Sequence, residues 1–149
     1  YGSEREINDL LKEIRDKANS LSEEHFRKGA GWMLLWVYSS LGKVRNAYAA
    51  NDIGSLFQAA TYVGDSASLF VAYLNRTWYR KSGFASVKEA LALEKLPQNH
   101  SQLMQIIYSS REAEDVVRAC ERLYQNCLQT ANFHGIKMRA YPSSEELDI

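Results

Sequence analysis

Apolar residues recur along this chain at intervals of three and four, the spacing of one helix face, and strand-type alternation is scarce. A first helix is predicted from Glu4 to about Ala18, with Ile7, Leu10, Leu11 and Ile14 as its apolar stripe. Asn19-Ser20-Leu21-Ser22 interrupts it and offers Ser22 as an N-cap before Glu23-Glu24, acids that favour a helix start. The second helix runs from Glu23 to about Ala50 on a seam of Leu34, Val37, Leu41, Val44 and Tyr48. Asn51-Asp52 ends it and caps a third helix, Ile53 to about Trp78, whose apolar residues on most sides make it the central element.

Lys81-Ser82-Gly83 reads as a turn, and Ser86-Val-Lys-Glu89 as a capping box that opens a short helix to about Leu93. Leu96-Pro97 closes that segment, and a second short helix covers roughly Ser101 to Tyr108. Ser109-Ser110 introduces the last long helix, with Val116, Cys120, Leu123, Cys127, Leu128 and Ala131 inward and Gly135 as its C′ stop. A frayed tail is expected from Tyr141. The fold class is all-α, an up-and-down bundle of four to five helices, with residues 1–149 as one helical domain.

Charge changes this picture. The chain holds 18 Lys+Arg and 18 Asp+Glu, yet they are unevenly placed. Up to Glu24 there are 4 basic and 7 acidic residues; from His25 to Lys88, 8 and 2; beyond, 6 and 9. From His25 to Asn51 there is no carboxylate, only Arg27, Lys28, Lys43 and Arg45. A basic centre in a neutral chain suggests a local anion site rather than a nucleic-acid track, and the anion is either a ligand or the protein's own acidic flanks. No apolar run reaches the ~20 residues of a membrane span. Cys120 and Cys127 lie two helical turns apart, about 10 Å and beyond disulfide reach, so buried thiols in a reducing, cytoplasmic setting are expected.

Few residue patterns carry chemistry. His25, His100 and His134 fall near three helix ends as surface or capping groups, and no pair has metal-ligand spacing, so no metal site is expected. Nucleophile-elbow, Walker and dinucleotide fingerprints are missing. The exception is Gly42-Lys43-Val44-Arg45-Asn46. At 100° per residue Ser39, Lys43 and Asn46 share a face within about 60°, an ammonium beside two neutral hydrogen-bonding groups, which suits a phosphate. The competing reading pairs Lys43 and Arg45 with acids of the first or last helix. Trp32, Trp36, Tyr38, Tyr48, Tyr62, Trp78 and Tyr79 sit at helical spacing and are expected in the core rather than as base-stacking platforms. Arg76, Tyr79, Arg80 and Lys81 are placed to line a pocket at the end of the third helix.

Several stretches carry a resemblance in collinear order: Gly42-Lys43-Val44-Arg45-Asn46, Arg76-Thr-Trp-Tyr79, Ala85-Ser86-Val87, Leu96-Pro97 before His100-Ser-Gln-Leu103, and His134-Gly135-Ile136. In these the chain resembles the C-terminal helical domain of kanamycin nucleotidyltransferase, a nucleotidyltransferase-associated bundle of the HEPN type. The resemblance implies a catalytic nucleotidyltransferase domain upstream, left by way of Tyr1-Gly2-Ser3, and a homodimer whose active sites form between domains of different subunits. It implies a Mg-nucleotide, ATP-like, as the cofactor of the full-length protein, with none bound by this chain alone, and Lys43 at the position that contacts nucleotide phosphate.

The departures from the family are as specific. The family's catalytic glutamate position holds Ser39, which cannot act as a general base near neutral pH unaided. The acids that hold a polycationic drug are absent between His25 and Asn51, and a basic wall repels such a drug. The HEPN ribonuclease pattern needs a histidine soon after Arg45-Asn46, and Ala-Tyr-Ala-Ala-Asn follows instead. The expectation is therefore a substrate- and nucleotide-side and dimerisation domain that is inert alone, with Lys43, Ser39 and Asn46 as nucleotide contacts and no catalytic residue. The alternatives are a stand-alone HEPN-like module that partners a separate nucleotidyltransferase, or a purely structural homodimer. Neither nucleic acid nor membrane is an expected partner.

Overall fold

A computed structural model describes residues 4–79 and 84–139, without the side chains at positions 4–7, 11, 15, 19, 84 and 85. Outside it lie the expected linker Tyr1-Gly2-Ser3, the side chains of Ile7 and Leu11, Arg80, the turn Lys81-Ser82-Gly83 and the tail from Tyr141. The helices are α1 (Glu4–Asn19), α2 (Glu23–Ala49), α3 (Ile53–Leu74), α4 (Phe84–Leu91), α5 (His100–Ser109) and α6 (Ala113–Phe133). Among the described residues four helices are long, and the two short ones fill the span between α3 and α6.

The local stop and start signals act as their chemistry demands. Ser22 Oγ accepts the backbone N–H of His25 at 3.2 Å, and Asp52 Oδ1 accepts that of Ser55 at 3.1 Å. Gly135, at φ 64°, ends α6 in a Schellman motif, with Ile136 N–H on Ala131 O at 2.8 Å and Gly135 N–H on Asn132 O at 3.0 Å. α2 closes the same way with Asn51 left-handed.

Two boundaries differ from expectation. α3 stops at Leu74 rather than near Trp78, because Asn75 caps it and Arg76 turns left-handed at φ 53°. The Asn75 amide donates to Val71 O and Lys95 O, each at 2.8 Å, which ties the helix end to the loop after α4. α4 begins at Phe84, so Ser86 lies inside its first turns rather than capping it.

α2 and α3 are antiparallel, joined by a three-residue link, and α3 packs on α2, α4, α5 and α6, which makes it the central helix. α6 also runs antiparallel to α2: Arg45 meets Glu121 near one end, and Arg27 meets Gly135 at the other. Leu34, Val37, Leu41 and Val44 of α2 are fully buried, with Leu56, Val63, Phe70, Val116, Leu123 and Cys127 of the other helices. Each such side chain contributes roughly 1.5–3 kcal/mol by leaving water. Tyr48, the last position of the predicted seam, is 44% exposed; Ala47 holds the inward place near the helix end.

α1 behaves differently. Its stripe is amphipathic as read, but Leu10 and Ile14 are each 56% exposed, and among the described residues α1 packs closely on no other helix. Both cysteines are buried, free thiols, and burial pushes the Cys120 thiol up to about 12 and Cys127 higher still, so neither is reactive. No described helix is long and apolar enough to cross a membrane.

Candidate functional site on α2

α2 turns Leu34, Val37, Leu41 and Val44 into the core, which leaves the opposite face of the helix to solvent. Ser39 is half-buried on that face, and Lys43 and Asn46 are exposed. The three predicted residues thus share a solvent face, Lys43 about 6 Å along the axis from Ser39. No acid lies on the helix between His25 and its end to compete for the ammonium.

Partners distinguish the four cations of the acid-free stretch. Arg45 Nε donates to Glu121 Oε1 of α6 at 3.0 Å. Lys28 Nζ pairs with Glu24 at 2.6 Å. Arg27 donates to the Gly135 carbonyl at 2.7 Å and lies 3.9 Å from Glu23. Lys43 alone makes no ion pair among the described residues. The competing reading of the sequence therefore holds for Arg45, whose acid comes from the last helix, and separates it from Lys43 two residues earlier.

The surface around Lys43 is open. A Cβ built on Gly42 would meet nothing within 4 Å, so no packing within the bundle requires a glycine there. Elsewhere on α2 the glycines do have packing reasons: Gly29 faces the Tyr73 ring, and Gly31 faces the Lys137 carbonyl. One helix face is convex, whereas ligand sites are concave. Ser39, Lys43 and Asn46 can form one wall of a phosphate site. Their chemistry fits phosphate oxygens and does not fit magnesium, which needs carboxylates. Among the described residues no three His, Cys, Asp or Glu side chains are grouped to hold a metal ion.

The aromatic expectation needs correction. Trp36, Tyr38, Tyr48, Tyr62 and Trp78 are between 43% and 50% exposed, and only Trp32 and Tyr79 of the set are half-buried. Large amphipathic rings lie at the rim, burying one side and wetting the other, while aliphatic residues and Phe70 fill the core. Tyr38 packs on Tyr124 at 5.6 Å between ring centres, and Trp78 on Phe26 at 5.6 Å. Trp36 stands 20° from Lys43 in helical projection, about 10 Å away along the axis. It adds an apolar platform to the face of Lys43 that helical spacing alone assigned to the core. Tyr79 turns inward, and its hydroxyl donates to the Ser68 carbonyl, so of the pocket residues expected after α3 it is Arg76 that lines a cleft. Arg80 and Lys81 lie outside the described residues.

His100 is also misplaced by the sequence reading. It is 1% exposed, with neither ring nitrogen hydrogen-bonded, and burial lowers its pKa from 6.5 to about 4. It is a core histidine, neutral near pH 7. His25 is exposed in the first turn of α2, and His134 is the C-cap of α6.

A comparison with protein families finds that the model of the KNTase C-terminal domain matches residues 8–137, from α1 to just past α6. No curated protein matches the chain.

Proposed function

The chain belongs to the KNTase C-terminal domain family, and on that premise we propose that it is the nucleotide-side domain of a two-domain nucleotidyltransferase. Lys43 contacts the phosphates of a Mg-nucleotide, with Ser39 and Asn46 as neutral hydrogen-bonding neighbours. The observation that carries this reading is the isolation of Lys43, the one cation of the acid-free stretch with no carboxylate partner among the described residues. An ammonium in that state is available to an anionic ligand, and the resemblance to the family implies the same role for it.

Bond-making chemistry is assigned to the partner domain. This helix face has no base and no magnesium ligand, because Ser39 replaces the carboxylate such chemistry needs. The chain is therefore inert by itself and contributes binding and positioning. The exposed stripe of α1 is assigned to the surface that meets the catalytic domain, and the exposed rings of α2 and α3, Trp36 and Tyr62, to a homodimer contact. The acceptor is not a polycation, since a basic, acid-free wall repels one.

The test is Lys43→Ala in the protein carrying both domains, with Mg-nucleotide affinity measured by calorimetry and folding checked by thermal melting. Weakening of tenfold or more with an unchanged melt is expected. Unchanged affinity overturns the assignment.

A further inference from the structure

Among the described residues positive charge gathers more densely at the other end of α2 than around Lys43. Four chain segments meet there: the first turns of α2, the end of α3, the loop between α4 and α5, and the strap after α6. They line two clefts that share Arg27 and Ile136. The smaller, of about 60 Å³, is lined by Arg27, Arg76, Lys95 and His134 with Glu23. The larger, of about 200 Å³, takes Arg27, Lys28, Lys137 and Arg139 with Glu24.

The charge is in excess of what the fold requires. Six Lys and Arg side chains face two carboxylates, a net +4. The C-termini of α3 and α6 end here and present about −0.5 each. The N-terminus of α2 adds about +0.5, which leaves roughly +3.5 uncompensated. Glu23 is shared, 2.7 Å from Arg76 and 3.9 Å from Arg27, while Lys95 and Lys137 pair with nothing among the described residues.

The cations also stand on anchored backbone. Asn75 clamps Lys95 from both sides, accepting its N–H at 2.9 Å and donating to its carbonyl at 2.8 Å. Arg139 N–H donates to Gly31 O at 3.2 Å, and a Cβ at Gly31 would collide with the Lys137 carbonyl, so the strap is pinned to α2. The Arg139 guanidinium lies over the Trp32 ring at 6.0 Å. Arg76 sits at the left-handed C′ position that Asn51 and Gly135 fill in α2 and α6, a conformation disfavoured for a long side chain. Asn75 and Gly31 fix the backbones of Lys95 and the strap, and Trp32 holds the Arg139 head, so these exposed like charges are kept close together.

We propose that these two clefts, joined at Arg27, bind a compound carrying two adjacent phosphate groups, one group in each cleft. The smaller cleft has space for one compact anion, and the larger for the second and whatever it carries. Arg27 at the junction supplies charge to both groups, and Lys95 and Lys137 supply ammonium donors from either side.

The experiment is calorimetric titration of the chain with pyrophosphate, inorganic phosphate, sulfate and adenosine diphosphate at one fixed, low ionic strength. Saturable 1:1 pyrophosphate binding is expected, at least tenfold tighter than phosphate or sulfate. Lys95→Gln with Lys137→Gln should weaken it tenfold or more; neither side chain makes a bond the fold needs, so the melt should not change. Lys43→Gln should leave it unaltered, which separates this site from the one proposed on the far half of α2. Adenosine diphosphate tighter than pyrophosphate assigns the pair to a nucleotide, and weaker assigns it to the free anion; both support the site if the two lysines are needed. Pyrophosphate binding no tighter than sulfate, or unaffected by the lysine pair, overturns it.

Discussion

The two halves of α2 carry two basic residues each, and they differ in what those residues meet. In the first turns Arg27 bonds the carbonyl that ends α6, and Lys28 pairs one turn back with Glu24. Near the other end Arg45 is taken by Glu121, and Lys43 is left to solvent beside an unneeded glycine and an exposed tryptophan. The two ends of the helix thus present positive charge in two different ways. At the first end the cations are anchored and crowded; at the second a single cation is unpartnered on an open face.

The largest expected effect lies at neither end and sharpens the contrast between exposed and buried charge. The folded pKa of His100, about 4, lies below the 6.5 of a free imidazole, so on acidification the unfolded chain takes the proton first. The contribution of His100 is full above pH 6.5, falls between 6.5 and 4, and changes no further below, a loss of about 3 kcal/mol. Urea melts across that range should show it, and His100→Leu should flatten the slope. A slope that survives the substitution would assign the acid sensitivity to surface groups instead.

Next in size is the functional half of the comparison. Lys43→Ala should cost tenfold to a hundredfold in Mg-nucleotide affinity of the two-domain protein while moving stability by less than about 0.5 kcal/mol. Arg27→Ala should act first on stability, lowering it by about 1–2 kcal/mol through the lost bond to Gly135 O. If both substitutions act on the same quantity, the two halves of α2 are not distinct. The smallest effect is Gly42→Ala, which should raise the stability of the chain by about 0.5–1 kcal/mol, since nothing is near enough to clash. Measured in the two-domain protein, a loss of nucleotide affinity from the same change would mean that something approaches the helix closely at this point.

The helices and their ends were legible in the chain because their signals are local. Ser22, Asp52 and Gly135 bond to groups within a few residues, so reading a short window suffices. The seam of Leu34, Val37, Leu41 and Val44 needed only the helical repeat. Where the local reading failed, a distant group decided. α3 stops early because Asn75 bonds Lys95, 20 residues on. His100 looks like a capping residue in its window, yet its ring is enclosed by the rest of the bundle. The half-exposed rings look like core residues by spacing and sit at its rim.

The chain by itself determined an all-α fold, the caps, the central place of α3, and a basic centre with Lys43, Ser39 and Asn46 on one face of α2. These follow from helical periodicity and capping, which act over three or four residues. Only the tertiary structure decided which cations are neutralised. Arg45 meets Glu121 across 76 positions and Arg27 meets Gly135 across 108, so the partners that quench a charge are brought in by packing and leave no local mark. The lone state of Lys43 and the convergence of Arg76, Lys95 and Lys137 on Arg27 are consequences of that same packing.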